Sequence, residues 1–368
     1  MRTLILNKKS RANASASYRR PGRHTAALVL LLCVTGIGAF PAVAYADDDW
    51  SAPFQLLGRD TAPGTKNKFQ FIDGQSFEAS YLNSPVFVAR GAKPGPTLCL
   101  AAGIHGDELN GVEVARRVFA DLDVQKLRGT VIALPAINAE GVRTGNRYLS
   151  DRRDLNRAFP GNAGGSVASI IAHAVFTKVL NHCDALVDLH TASNNRANVP
   201  QIRADLSNPA IRELALHFGV GIVLHGAGPS GSLRDEAAKT GIPVIIYEAG
   251  EPLRFEEDEI ARGREGVRNV MAYLDMTDTA IQKVSEDQVY QKSKWVRAPR
   301  GNGGFFFPAR GLGDIIRKGD ILGKVIDPLT DEVYEIASTL DGVVVGVAVP
   351  QPVLSGYGLF HLAWHDSI

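Results

Sequence analysis

A histidine and a glutamate stand three residues apart in the segment AAGIHGDELNG, at 101–111. The residues before them predict a buried strand and the residues after them a helix. His105 and Glu108 are therefore expected on one side of a turn, at the C-terminal edge of a sheet where ligands bind. An imidazole nitrogen and a carboxylate oxygen placed in this way are suitable ligands for Zn²⁺. The spacing is also compatible with a capped helix whose first turn contains Glu108.

A second histidine, His190, ends the apolar segment ALVDLH at 185–190. This segment predicts another strand, whose end lies at the same edge of the sheet. Two histidines and one carboxylate, with a fourth position open for water, are the ligand set of a catalytic zinc site. We therefore predict one Zn²⁺ per chain, held by His105, Glu108 and His190; this set favours zinc over other divalent ions.

A glutamate that could act as a general base ends a further apolar strand, PVIIYEAG at 243–250. A carboxylate beside the attacking water can accept its proton and pass that proton to the leaving nitrogen. Glu248 is the preferred candidate because it directly follows the buried run VIIY, and Glu251 is its competitor. The alternative without chemistry is a surface glutamate or a helix cap.

The loop GNRYLSDRRDLNRAFPG, at 145–161, is rich in arginine and asparagine. A guanidinium group can hold a carboxylate through two parallel hydrogen bonds, and another can polarise a carbonyl. Such loops are usually solvated surface. Here Asn156 and Arg157 precede the apolar Phe159 and Pro160, which indicates a loop anchored against the core.

Strands that alternate with helices between Thr97 and Met276 predict an α/β domain with a mostly parallel sheet. The predicted strands lie at 98–103, 130–138, 185–190, 220–225 and 243–250, and the predicted helices at 109–122, 166–182, 209–218, 232–240 and 256–274. We assign 47–276 to this domain and 277–293 to a linker. Residues 294–368 consist of short β-branched runs between glycine and proline turns, which predict a small all-β barrel or sandwich.

The phrases KGDILGKVIDP and STLDGVVVG in the C-terminal part resemble the biotinyl/lipoyl-type β-sandwich. The turn that carries the modified lysine in that sandwich reads Thr339-Leu340-Asp341-Gly342 here. Without a lysine, a structural or gating role is expected in place of a covalent carrier role.

The N-terminus has the order of an export signal: basic residues up to Arg23, an apolar run over 26–40, and the small residues Ala44 and Ala46 just before an acidic run. We predict a signal peptide at 1–46 with cleavage after Ala46, and a periplasmic location if the organism has two membranes. An uncleaved anchor helix is the alternative.

Residues 47–368 hold 33 basic against 39 acidic residues, a net charge of −6 that argues against nucleic-acid binding. Cys99 and Cys183 could pair in an oxidising compartment, but we expect two separate buried thiols.

Taken in order, His105-x-x-Glu108, DLNRAFPG, DLH at His190 and YEAG resemble the succinylglutamate desuccinylase/aspartoacylase family of zinc carboxypeptidase-like hydrolases. The resemblance covers roughly 98–275, and the trailing β-domain is similar as well. It implies that His105, Glu108 and His190 bind zinc, and that Glu248 is the general base. It further implies that Asn156 and Arg157 hold the substrate carboxylate and that an arginine earlier in the loop stabilises the oxyanion. We choose Arg147 for this role, with Arg143, Arg152 and Arg153 as alternatives.

The predicted function is zinc-dependent hydrolysis of the amide bond in a small, carboxylate-bearing N-acyl amino acid or short peptide. The family's named members are intracellular, so their exact substrates are not transferred to an exported chain. The alternatives are a periplasmic metallocarboxypeptidase, a peptidoglycan-peptide amidase, or a non-catalytic binding protein. The expected partner is the small-molecule substrate, without nucleic acid and without a membrane beyond export; the oligomeric state is left open.

Overall fold

The computed structural model describes residues 50–75 and 81–365, so the predicted signal peptide at 1–46 lies outside the described residues. The strands are β1 (Phe54–Leu56), β2 (Arg59–Thr61), β3 (Thr65–Gln75), β4 (Tyr81–Arg90), β5 (Lys93–Ala102), β6 (Arg128–Leu134), β7 (Ala185–His190), β8 (Arg196–Ala204), β9 (Ile222–His225), β10 (Val244–Gly250), β11 (Val289–Tyr290), β12 (Lys292–Arg297), β13 (Gly304–Pro308), β14 (Ile315–Ile316), β15 (Ile321–Ile326), β16 (Val333–Ala337), β17 (Gly342–Ala348), β18 (Gln351–Val353) and β19 (Gly358–Trp364). The helices are α1 (Leu109–Asp121), α2 (Ala139–Thr144), α3 (Val167–Lys178), α4 (Pro209–Leu216), α5 (Leu233–Lys239) and α6 (Glu257–Tyr273). None of the helices in this part of the chain has the length and hydropathy of a membrane-spanning segment.

The large sheet has a parallel centre made of β6, β5, β7 and β10, which are neighbours in that order. These strands are almost continuously buried because helices cover both faces of the sheet. Helices α1, α4 and α6 contribute to one core, and α3 and α5 contribute to the other. The predicted α/β class with a mostly parallel central sheet is confirmed.

The helices begin where the sequence offers capping side chains. Ser232 accepts a hydrogen bond from the backbone N–H of Asp235 at the start of α5, and Asn208 caps α4, whose first residue is Pro209. A side-chain oxygen at this position satisfies an N–H that has no partner inside the helix, and proline suits the first turn for the same reason. All five predicted helices are present, within a few residues of the expected bounds, although the predicted 166–182 helix divides into α3 and a short 3-10 turn.

One strand next to the parallel centre, β8, was not predicted. It runs antiparallel to β10 and brings its residues beside the end of that strand. Its buried positions include the polar Asn198 and Gln201, and it contains Pro200. Polar residues at buried positions remove the apolar alternation by which a strand is recognised in a sequence.

The C-terminal strands extend the large sheet and also form a second layer. β17 pairs with β8, and β19 and β12 continue from it, whereas β13, β15, β16 and β18 form a separate antiparallel sheet. Phe306 and Phe360 pack between these layers. The segment 277–293, which was predicted to be a linker, contains β11, and this strand pairs with β9 of the α/β part. The structure thus shows the expected all-β C-terminal region; its division from the α/β part as a domain stays a prediction.

Cys99 and Cys183 form a disulfide, so the prediction of two separate thiols was wrong. Cys99 lies in β5, and Cys183 lies just before the neighbouring β7, with the two Cα atoms 5.7 Å apart. The two cysteines are 84 residues apart in the chain. Only the adjacency of the two strands in the sheet brings them together, and spacing in the sequence does not reveal it.

Replacing both cysteines with alanine is expected to lower the free energy of unfolding by about 2–4 kcal/mol, since the cross-link restricts the unfolded chain. Urea unfolding of the oxidised protein and the double variant measures this difference. The wild-type protein unfolded with a reductant is the control and should shift in the same direction. An unchanged urea midpoint in both comparisons would contradict the prediction.

Candidate functional site

Three side chains meet at the C-terminal ends of β5 and β7. His105 and Glu108 lie in the turn between β5 and α1, and His190 is the last residue of β7. The two strands are parallel neighbours, so their carboxyl ends meet at one edge of the sheet. His105 Nδ1 lies 2.7 Å from Glu108 Oε1, and His190 Nδ1 lies 2.6 Å from Glu108 Oε2. The ligand atoms of the three buried residues all lie within 4.8 Å of one another, so the group can hold a metal ion.

The turn between β5 and α1 depends on glycine at two positions. Gly103 has a φ of +59°, a conformation that other residues rarely adopt. A Cβ on Gly106 would collide with the backbone of Gly141, at α2. Glu108 is the N-cap residue of α1, but its side chain makes no capping hydrogen bond. The capped-helix interpretation of Glu108 is therefore wrong, because its carboxylate faces the two histidines.

Each histidine of the group has a second carboxylate behind it. His105 Nε2 lies 3.1 Å from Asp154 Oδ1, and His190 Nε2 lies 3.0 Å from Asp188 Oδ2. A carboxylate on the outer nitrogen fixes the orientation of the ring and makes the inner nitrogen a better metal donor. Sequence reasoning gave neither aspartate a role. The signal for Asp188 was its position two residues before His190, which places both on one face of the strand.

Each charged side chain of this group shifts the pKa of its neighbours towards their charged forms. Burial by itself would lower the pKa of His105 and of His190, but Glu108 and the outer aspartates outweigh it and raise both pKa values. Burial would raise the pKa of Glu108, yet the two histidines hold that pKa well below its usual range. The Glu108 carboxylate thus favours positive charge at this position, and a divalent metal would supply that charge while binding both rings in their neutral form. The residues present fit a zinc ion in donor type, number and outer contacts.

Arg147 is the loop arginine that reaches this group. Its Nη1 donates to Ser193 Oγ at 2.8 Å and to Glu108 Oε1 at 3.2 Å, and its Nη2 donates to Asp154 Oδ2 at 2.9 Å. Ser193 in turn donates to Asp107 Oδ2 at 2.9 Å, so its hydroxyl links the guanidinium to a further carboxylate. The three alternatives are exposed: Arg143, Arg152 and Arg153. The contact with an oxyanion stays a prediction for Arg147.

Asn156 and Arg157 follow Asp154 in the same loop. The Oδ1 atom of the buried Asn156 accepts a hydrogen bond of 2.8 Å from the backbone N–H of Leu233, the first residue of α5. Phe159 is also buried, so the loop is anchored against the core as expected. Arg157 is exposed, and its Nη1 donates to the Asn156 backbone oxygen at 2.7 Å. Because the Asn156 oxygen accepts this backbone hydrogen bond, its amide N–H remains for a substrate carboxylate, and that role of Asn156 and Arg157 stays a prediction.

Glu248 lies beside His190, at the paired position of the neighbouring strand β10. Its carboxylate accepts a hydrogen bond of 2.6 Å from Asn198 Nδ2 and forms an ion pair of 2.9 Å with Arg203 Nη1. Both partners belong to β8, the strand that the sequence did not reveal. The competitor Glu251 is half-buried and lies 3.4 Å from Arg254. The structure therefore brings Glu248 to the edge of the sheet that holds the histidines, and its role as a base stays a prediction.

The part of the chain that contains these residues is similar in sequence to a known protein family. Residues 94–274 match the family described as the succinylglutamate desuccinylase/aspartoacylase catalytic domain. The chain carries a catalytic domain of this family. The expected family is thereby confirmed, and with it the class of enzyme, because members of the family are amide-bond hydrolases.

Relatives of this succinylglutamate desuccinylase/aspartoacylase domain align with most of the length of the chain. The N-alpha-acetyl-L-2,4-diaminobutyric acid deacetylase of Halomonas elongata is 26% identical over 287 residues, which cover 74% of this chain and 83% of the relative. A solved succinylglutamate desuccinylase/aspartoacylase from Rhodobacter sphaeroides has a TM-score of 0.75 at 24% identity and covers 82% of this chain and 96% of its own. The product-bound structure of the ectoine utilization protein EutE (DoeB) from Ruegeria pomeroyi has a TM-score of 0.74 at 22% identity. It covers 80% of this chain and 95% of its own. These two structures support the fold.

Proposed function

We propose that the protein is a zinc-dependent deacylase that hydrolyses the amide bond of a small, carboxylate-bearing N-acyl amino acid. The observation that carries this proposal is the convergence of His105 Nδ1 and His190 Nδ1 on the Glu108 carboxylate, one strand away from Glu248. The similarity to a deacetylase of an N-acetylated amino acid supports the substrate class. When bound, zinc supplies a Lewis acid for the amide carbonyl and for the attacking water.

The remaining chemistry falls to side chains of this chain. Glu248 accepts the proton of the attacking water and delivers it to the leaving nitrogen, which departs as an amine. Asn198 and Arg203 keep the Glu248 carboxylate in one orientation during both transfers. Arg147 donates hydrogen bonds to the oxygen on which negative charge develops, and it is already fixed by Ser193 and Asp154. Arg157 holds the substrate carboxylate and so places the amide bond.

We further propose that the protein works after export, with the signal peptide removed after Ala46. The disulfide between Cys99 and Cys183 supports this, because such bonds persist mainly in oxidising compartments. N-terminal sequencing of the protein isolated from its own cells tests the cleavage site. A cytoplasmic protein that keeps residues 1–46 would contradict the proposal.

A panel of N-acetyl and N-succinyl amino acids tests the activity itself. The zinc-loaded protein is expected to release a primary amine from at least one of them. It should hydrolyse the methyl esters of the same N-acyl amino acids much more slowly, because esterification removes the carboxylate that Arg157 would hold. Muropeptides and unblocked dipeptides are assayed in parallel. Hydrolysis of these peptides alone would replace the deacylase by a peptidase, and no hydrolysis of any amide would overturn the proposal.

A further inference from the structure

A short bend at 193–195, in the link between β7 and β8, supports Arg147. The Ser193 hydroxyl accepts a hydrogen bond of 2.8 Å from Arg147 Nη1 and donates one of 2.9 Å to Asp107 Oδ2. The same Nη1 atom lies 3.2 Å from Glu108 Oε1. The position of this bend therefore influences where the Arg147 guanidinium lies beside the metal group.

The backbone of the 193–195 bend is in a conformation that costs energy. Asn194 has a φ of +56° and Asn195 a φ of +54°, so two consecutive residues lie in the left-handed region. Asparagine tolerates this region better than most residues do, but only glycine enters it without a steric cost. Backbone strain of this kind persists where contacts from the surrounding structure fix it. The bend therefore depends on neighbours outside its own segment.

Residues near the end of the chain supply contacts to the bend. The Val349 backbone N–H and Gln351 Nε2 both donate to the Asn195 backbone oxygen, at 3.0 and 2.7 Å. Asn195 Nδ2 donates in return to Gln351 Oε1 at 3.3 Å. The Tyr357 hydroxyl donates to the Asn194 backbone oxygen. Gln351 lies in β18, 156 residues after Asn195, so the C-terminal strands fix the bend from outside the α/β part.

Arg196, the first residue of β8, also links the bend to the C-terminal strands. Its Nε donates to the Gly358 backbone oxygen at 3.0 Å, and its Nη1 donates to the Ser193 backbone oxygen at 3.4 Å. Its guanidinium lies over the Tyr357 ring, 4.3 Å from the ring centroid, where the face of the ring attracts a cation. All three backbone oxygens of the bend are therefore held by residues that belong to the C-terminal region or contact it.

We propose that the C-terminal strands position the Arg147 guanidinium, with Gln351 as a positioning residue that acts through the 193–195 bend. A donor aimed at developing negative charge stabilises that charge most when the donor is fixed before the reaction. Removal of the Gln351 side chain takes two hydrogen bonds from the bend, so the Ser193 hydroxyl would no longer be fixed beside Arg147. That Arg147 serves hydrolysis rests on the proposed function, whereas its positioning by Gln351 does not. This gives the C-terminal region a role that needs no carrier lysine.

Gln351→Leu in the zinc-loaded protein tests the proposal, because leucine has a similar size and makes neither hydrogen bond to the bend. On the best substrate of the N-acyl panel, kcat should fall about 10- to 100-fold, the effect of a misplaced catalytic group, while KM and zinc content stay unchanged. Gln351→Glu keeps the acceptor for Asn195 Nδ2 but cannot donate to the Asn195 backbone oxygen at neutral pH. It should also lower kcat, and it guards against misfolding of Gln351→Leu. Gln288→Leu, at an exposed glutamine that contacts Ser285, is the matched control and should keep the wild-type kcat.

Ser193→Ala separates positioning of Arg147 from a general effect on the fold. This change removes the hydroxyl that joins the bend to Arg147, so Gln351→Leu added to it should cause no further loss of kcat. Losses that multiply in the double variant would overturn the proposal. A raised KM with unchanged kcat in Gln351→Leu would overturn it as well.

Crystal structures of the variants give a readout that needs no activity. In Gln351→Leu, Arg147 Nη1 should no longer lie within hydrogen-bonding distance of Ser193 Oγ. In Gln288→Leu, that contact should remain. Loss of the contact in a protein that hydrolyses no amide would retain the positioning and reject the deacylase, whereas an unmoved Arg147 in Gln351→Leu would overturn the positioning.

Discussion

Glu248→Gln is expected to lower kcat by about 10²- to 10⁴-fold while the protein keeps its zinc. Glutamine has nearly the same shape as glutamate, and its amide oxygen can still accept the hydrogen bond from Asn198. It cannot accept a proton from water at neutral pH. The variant therefore removes proton transfer and leaves the three proposed metal ligands untouched, so kcat falls and metal content does not.

Glu251→Gln is the matched control, because the chain offers a second glutamate three residues further along. Its carboxylate lies beside Arg254 and away from the β8 partners of Glu248. Steady-state kinetics and zinc analysis of both variants should show a large loss of kcat for Glu248→Gln alone. Equal losses would deny Glu248 a special role, and full activity of Glu248→Gln would remove the base from the proposed mechanism.

The side chains that meet at this edge of the sheet could be predicted because each stands at a visible boundary in the sequence, while their roles as metal ligands and base stay predictions. His105, His190 and Glu248 come at or directly after apolar strands, and parallel strands bring such ends to one edge. The alternation of apolar strands with amphipathic helices predicted the order of the elements for the same reason. The pattern does not show which strands become neighbours in the sheet when they are distant in the chain. The disulfide between Cys99 and Cys183 could not be predicted for that reason.

The partners of the predicted residues were harder to find because they are polar groups at buried or half-buried positions. Asp188 lies inside an apolar strand, and Asn198 and Arg203 lie on β8, whose polar residues hide its strand pattern. Buried polar side chains persist only where another polar group meets them. A buried polar residue on a strand next to a metal ligand is thus a sign of a supporting contact, but its partner becomes visible only in the folded chain.

Arg147 illustrates how the fold selects among residues that the sequence leaves equivalent. Four arginines precede Asn156 in or just before the loop, and sequence reasoning could rank them only by their order. In the structure, the contacts with Glu108, Ser193 and Asp154 distinguish Arg147 from the three exposed arginines. The choice depends on the path of the loop after α2, which no local pattern encodes.

His105→Ala is expected to abolish both zinc binding and hydrolysis. Wild-type protein should contain about one zinc per chain, as a site with three protein ligands does. The variant retains only Glu108 and His190, and it leaves Asp154 without the imidazole that it contacts. Two remaining ligands hold zinc far more weakly than three, so dialysis should remove the metal. Metal analysis after dialysis, together with amine release, measures both effects.

His217→Gln is the control for this variant, since His217 stacks on Tyr273 and lies outside the metal group. It should keep about one zinc per chain and its activity. Circular dichroism of His105→Ala should remain native-like, because the strands and both cores do not depend on this side chain. A wild-type protein that binds no zinc even when it is offered would overturn the catalytic proposal, and a non-catalytic binding protein would then take its place. A zinc content that His105→Ala leaves unchanged would instead mean that the metal lies elsewhere in the chain.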